Sequence, residues 1–138
     1  MGQLQGLNIR LYSGYTPRAT ALIERVEKAC DDNSSVELVE TLQPMVTPVG
    51  NTESSTVIIL DLPNIKQSAI RTIGIVKENN RSSKLLAIHI YTTKLLVTPL
   101  LDAGVDGYLP YEPSADEISR AILTVLDGKT YLPKEISI

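Results

Sequence analysis

Apolar positions along this chain follow two rhythms. Residues 56–63, Thr-Val-Ile-Ile-Leu-Asp-Leu-Pro, form an unbroken apolar and β-branched run that ends on a carboxylate, Asp61. A strand buried on both faces shows a continuous run of this kind rather than alternation. Shorter runs at 8–13, 36–42, 85–90 and 107–109 read as four more strands. Between them the spacing becomes helical. Ala21, Leu22, Val26 and Ala29 keep it, with Ile23 and Cys30 widening the stripe. Ile65, Ala69, Ile70, Ile73 and Val76 keep it to about Glu78, and Ile118, Ala121, Ile122 and Val125 keep it to Gly128.

Punctuation residues sharpen these elements. Thr16 with Pro17 predicts an N-cap followed by proline at the first helical position. Ser114 with Glu117 is a capping box for the last helix, and Gly104 is placed to end the preceding one. That helix, 92–103, contains Pro99, which costs roughly 3 kcal/mol inside an ideal helix, so it is expected to kink or start late. Between 43 and 55, Pro44, Pro48, Gly50 and Asn51 lie too close together for a regular helix. A loop with at most one helical turn is expected there, a degenerate second helix. Strands alternating with helices predict an α/β fold, a parallel sheet with helices on both faces.

Composition narrows the picture. At 138 residues the chain fits one domain, and 43% hydrophobic against 21% charged residues argues against disorder. Without Trp or Phe, the core must be built from Ile, Leu, Val and Ala, and the six tyrosines are the only aromatic surface. A net charge of −3 leaves no electrostatic footprint for nucleic acid on this chain alone. The single cysteine, Cys30, excludes an internal disulfide and a cysteine-clustered zinc site. No apolar run reaches the length of a membrane span and the first residues do not form a signal peptide, so a cytoplasmic protein without membrane attachment is expected.

Candidate chemistry centres on Asp61. Open α/β sheets place ligands outside the carboxyl ends of their strands, and Asp61 ends one; the plainer reading is a carboxylate that starts a turn. His89, the only histidine, has no His or Cys companion at metal-binding spacing. A core imidazole hydrogen-bonded to backbone is its simpler role. Asp31-Asp32 reads as a solvated helix end, and neither a phosphate-binding glycine loop nor a nucleophile motif occurs.

Three stretches resemble a response-regulator receiver domain, and the likeness runs over nearly the whole chain. They are Val57-Ile58-Ile59-Leu60-Asp61-Leu62, then Leu101-Asp102-Ala103-Gly104-Val105-Asp106-Gly107-Tyr108-Leu109, then Ser114-Ala115-Asp116-Glu117-Ile118. The resemblance implies a flavodoxin-like receiver fold, a five-stranded parallel sheet ordered 2-1-3-4-5. It makes Asp61 the phosphoacceptor position and Tyr108 the switch aromatic. The acidic pair that would hold Mg²⁺ is matched by Gly14 and Tyr15, the strand-four hydroxyl by His89, and the strand-five lysine by Tyr111. Phosphoryl transfer relies on cations spread over the equatorial oxygens, and Asp61 alone is a weak magnesium site. No cofactor, no metal and no enzymatic activity are therefore expected.

The resulting expectation is a pseudo-receiver of two-component signal transduction, acting through protein–protein association independently of phosphorylation. A sensor kinase or downstream effector is the expected partner, with homodimerisation as a further possibility. Tyr91 and Tyr108 are expected on the interaction face formed by the helix after strand four, the last strand and the last helix. Residues 1–128 form the receiver-like domain, and 129–138 a C-terminal tail or the start of a linker. That tail, Gly128-Lys129-Thr130-Tyr131-Leu132-Pro133-Lys134-Glu135-Ile136, resembles the segment before the linker of LuxR-type regulators. A second reading is thus the regulatory domain of a DNA-binding transcriptional regulator whose helix-turn-helix is not in this chain. A third is a small-ligand binder on the same fold.

Overall fold

The computed structural model describes residues 7–30, 33–43 and 56–136. Five strands, β1 (Asn8–Tyr12), β2 (Ser35–Val39), β3 (Thr56–Asp61), β4 (Lys84–Ile88) and β5 (Gly107–Leu109), form one parallel sheet in the order β2-β1-β3-β4-β5. Four helices are described: α1 (Thr16–Ala29), α2 (Ala69–Asn79), α3 (Lys94–Ala103) and α4 (Ala115–Leu126). The parallel α/β sheet is the one the alternating pattern predicts, and its strand order is the one the resemblance to receiver domains implies. The expectations for 44–55 and for Asp31-Asp32 lie outside the described residues.

The continuous apolar run of β3 has a direct structural cause. Ile58 and Leu60 pack into one core layer with Ile73, Val76, Leu85, Val97, Leu100 and Tyr108. Val57 and Ile59 pack into the opposite layer with Leu11, Leu22, Val26, Ile118 and Ile122. Successive side chains of a strand point to opposite faces, so Asp61 shares the face of Val57 and Ile59. It therefore faces the layer that contains α1 and α4.

Caps and breakers fall near their sequence signals. Ser68 Oγ accepts the Arg71 amide at 3.2 Å and Ser114 Oγ accepts the Glu117 amide at 3.1 Å. At the start of α1 the cap position is Tyr15, without a side-chain cap bond, and Thr16 and Pro17 are already helical. The helix after β4 begins at Lys94 rather than 92, and Pro99 stays inside it. Pro99 still lacks the amide that would pair with the carbonyl of Leu95 inside this helix. Gly104 ends α3 at φ +132°, and a Cβ there would meet Lys77 Cγ at 3.1 Å. Only glycine accepts that backbone cheaply.

The C-terminal residues depart from the expected tail. After Gly128, at φ +83°, the chain turns back along the outer edge of β5. The Tyr108 amide donates to Tyr131 O at 3.0 Å and the Tyr131 amide to Asp106 O at 3.3 Å. Gly107 makes room for this: a Cβ there would stand 2.7 Å from Leu86 Cδ2 and 3.0 Å from Tyr131 Cβ. Ile136, in the short 3₁₀ turn Lys134–Ile136, is buried in the same core layer as Tyr108. Packed structure thus extends to Ile136, beyond the boundary expected at 128. Leu132, Pro133 and Ile136 supply the apolar area that holds it.

Candidate functional site

Asp61 is the last residue of β3, with its backbone level with Ile88 of β4 and its carboxylate 2% exposed. In parallel register Tyr12 of β1 lies level with Leu60, so the next residue, Ser13, reaches Asp61. Its hydroxyl donates to Asp61 Oδ2 at 2.8 Å. One turn into α1, Arg18 closes on the same carboxylate as a two-pronged fork. Nε donates to Oδ2 at 3.0 Å and Nη2 to Oδ1 at 2.8 Å. Such paired bonds are the strongest form of a guanidinium–carboxylate contact.

Arg18 is itself enclosed. Its Nη2 also donates to the Tyr111 carbonyl at 2.9 Å, and the Tyr111 ring lies 3.9 Å from Cζ, a cation–π stack. A second arginine of α1, Arg25, donates to the Pro113 carbonyl at 3.2 Å. Two side chains about two helical turns apart thus fasten the β5–α4 loop to α1. Burial works against the Arg18 charge, but Asp61 and Tyr111 outweigh it and hold the guanidinium above its ordinary range. Nearby, burial foremost and then the Asp61 charge push the Tyr12 phenol up.

The expected site residues sort themselves around this pair. Gly14 and Tyr15, matched to the acidic pair, do not meet Asp61; Ser13 does. Gly14 sits beside the Tyr12 hydroxyl, and Tyr15 caps α1 with half its surface in solvent. The reason is register, which brings the first residue beyond β1 level with Asp61. His89 stacks on Tyr91 with ring centroids 4.3 Å apart, and its Nδ1 accepts the Ile90 amide at 2.9 Å. Burial pushes the imidazole below its ordinary value, against the opposing pull of Asp61. Tyr111 contributes a carbonyl and a ring face to Arg18 rather than a cation to Asp61.

Tyr108 requires a correction. It was expected near the centre of an interaction surface, but its side chain is fully buried and its hydroxyl donates to the Tyr91 carbonyl at 2.8 Å. An alternating three-residue strand turns this ring inward, into the layer of Val97 and Leu100. Truncating a buried aromatic to alanine costs about 3–5 kcal/mol, so Tyr108→Ala would disrupt the fold before it tested an interface. Tyr91 is partly buried, and the apolar surface nearby belongs to Ile90, Leu95 and Leu96, of which Leu95 is 83% exposed.

The receiver fold raises the question of magnesium. Both oxygens of Asp61 already accept bonds from Arg18 and Ser13, and among the described residues no other carboxylate is bonded to the same partners. Magnesium requires hard oxygen donors, generally one or two carboxylates, and no three-residue group of His, Cys, Asp or Glu able to hold a metal exists among the described residues. The donor set does not fit the ion.

Arg18 is the functional residue that reading the sequence missed. One signal was available: a basic residue in the first turn of a helix meets the positive end of the helix dipole, so it needs a specific acidic partner. Asp61, at the end of the most buried strand, is that partner.

Comparison with known proteins agrees with this architecture. The chain is 26% identical over 107 residues to the transcriptional regulatory protein DegU of Brevibacillus brevis, covering 78% of this chain and 41% of that protein. It is 26% identical over 81 residues to the transcriptional regulatory protein LnrK of Bacillus subtilis, covering 59% and 37%. It spans about two-fifths of the length of these curated relatives. Among solved structures, a LuxR family DNA-binding response regulator from Silicibacter pomeroyi superposes with a TM-score of 0.70 at 21% identity, covering 93% of this chain and 98% of that one. No family model matches. The fold is that of receiver domains, and the sequence is similar to those of transcriptional regulatory proteins. No described helix is long and apolar enough to cross a membrane.

Proposed function

We propose that this domain is a signalling receiver that works without phosphorylation of Asp61, with Arg18 as a built-in counter-ion in place of metal and lysine. The two-pronged Arg18–Asp61 contact carries this reading. A phosphoacceptor carboxylate must offer a free, accessible oxygen to the incoming phosphorus. Here both oxygens are engaged and the carboxylate is nearly sealed from solvent. The domain acts by association, not catalysis. Its docking surface is the β4–α3 loop and the start of α3, where Ile90, Leu95 and Leu96 are exposed. Exposed apolar clusters of this kind mark contact sites, and the occupant is a signalling protein or a second copy of the chain.

Incubation with a small phosphodonor and magnesium, followed by intact-mass spectrometry, tests the reading. No mass addition is expected. Magnesium-dependent addition of one phosphoryl group, lost in Asp61→Asn, would overturn it. A second reading rests on the relatives, which are named transcriptional regulatory proteins and are more than twice as long as their matched parts. On that reading the domain regulates a DNA-binding segment elsewhere in a longer protein. A gene that encodes a helix-turn-helix downstream of these residues would support it.

A further inference from the structure

The segment 129–136 touches parts of the molecule that are otherwise separate. Along the β5 edge, Tyr131 exchanges backbone bonds with Asp106 and Tyr108, and its hydroxyl donates to Glu117 Oε2 of α4 at 2.8 Å. On the other side of the sheet, Leu132 and Ile136 pack into the core layer that holds Tyr108, Val97 and Leu100. The segment therefore wraps the edge strand from the α4 side to the α3 side. Compared with the central strands it has few anchors, and segments of that kind open before the rest of a fold.

Tyr108 is the next link. Its amide is bonded to the segment and its ring shares the layer of Ile136. Its hydroxyl is bonded to the carbonyl of Tyr91, in the β4–α3 loop. Tyr91 in turn stacks on His89, and Ile90 between them is 57% exposed. One buried side chain thus joins the wrapped segment to the apolar loop on which the proposed docking surface rests.

We propose that residues 129–136 are a strap that opens as a unit and, through Tyr108, sets the conformation of the β4–α3 loop at residues 89–93. With the strap closed, Tyr108 is held inward and its hydroxyl fixes Tyr91. Opening removes the amide bond and the apolar contact that hold the ring, and the loop loses its fixed carbonyl. The strap is therefore the regulator of the docking surface assigned above, and the inference rests on that assignment. A force or ligand applied to the strap changes the presentation of Ile90 without touching Asp61.

The test uses the full chain with isotope-labelled amides. Ile136→Ala is expected to speed exchange of the Tyr108 and Tyr131 amides about tenfold or more, on the scale of a lost buried contact, while the β1–β3 ladder keeps its protection. Amide shifts of residues 89–93 should move in the same variant. In Tyr108→Phe, which removes only the hydroxyl, Ile136→Ala should leave 89–93 unmoved. If Ile136→Ala does not fold, Tyr131→Phe, which cuts the Glu117 bond, serves in its place. Exchange of Tyr108 and Tyr131 only with the whole core would overturn the separate strap. Shifts confined to 106–109 and α4, or unchanged coupling in Tyr108→Phe, would overturn the link to the loop. None of these readouts involves a phosphodonor, so failure here is distinct from phosphorylation of Asp61.

Discussion

Asp61–Arg18 and Asp106–Lys77 are the same kind of contact at opposite ends of the sheet, and they do different things. Asp106 lies just before β5, at the amino-terminal end, and its Oδ2 accepts both Lys77 Nζ at 3.1 Å and the Leu85 amide at 2.9 Å. Lys77 also donates to the Ser83 carbonyl at 3.0 Å. With side chains 28% and 27% exposed, this pair pins α2 to the entry of β4 and leaves solvent to share its charge. Asp61–Arg18 is 2% and 11% exposed and lies at the carboxyl end, where open sheets bind ligands. One pair is a staple and the other fills a site. The lesson is that a carboxylate in this fold takes its role from the end of the sheet it occupies and from how completely its oxygens are already satisfied.

The difference should appear first in stability. Removing one partner of a buried pair leaves an uncompensated charge and costs about 3–5 kcal/mol; Arg18→Ala should lose that much in urea unfolding. A smaller loss than that of Lys77→Ala would break the comparison. Arg18→Lys keeps the charge but not the fork or the flat stack on Tyr111, and a loss of about 1–3 kcal/mol is expected, by the same measurement. Lys77→Ala should cost about 1–2 kcal/mol.

Salt separates the two pairs further. At 1 M the Debye length is about 3 Å, so the Lys77→Ala loss should shrink while the Arg18→Ala loss holds. Parallel unfolding series at low and high salt would show this. The smallest effect concerns alkaline pH at the strap. Burial, then the Glu117 carboxylate, push the Tyr131 phenol up from its ordinary value to about 12, against the opposing pull of Arg120. Asp106, on the β5 side, is occupied with Lys77. A group whose proton is held more tightly when folded stabilises fully below its unfolded value near 10. That contribution is lost as pH rises from about 10 through about 12. Tyrosinate absorbance should show Tyr131→Phe losing one late-titrating phenol, and the variant should lose less strap protection over that interval.

The fold was legible because its signals are local. A short β-branched run such as 57–60, closed by Asp61 and Pro63, reads as a doubly buried strand, and Ser114 with Glu117 marks a helix start without help from the rest of the chain. Asp61 was legible for the same reason, as a carboxylate ending that run. Arg18 was not, because its meaning depends on Asp61 and on the Tyr111 carbonyl, which only the folded sheet brings to it. The assignment to Gly14 and Tyr15 went astray by register, since the motif fixes the neighbourhood but not which residue after β1 lies level with Asp61. Tyr108 and the strap went astray by direction. Sequence places Tyr108 in the last strand and reads 129–138 as a tail or the start of a linker, and only packing shows that the ring turns inward and that 129–136 returns to cover it.

The Arg18 fork also bears on the order in which the chain assembles. It reaches Asp61 across 43 positions and the Tyr111 carbonyl across 93. Its bonds need the β1–β3 pairing and the β5–α4 loop already in place, so they are expected to form late. An interaction absent from the transition state slows the return to the unfolded chain and leaves the forward rate alone. Arg18 therefore acts as a brake on unfolding. Its loss would leave refolding nearly as fast as before, while shortening the lifetime of the native state by orders of magnitude.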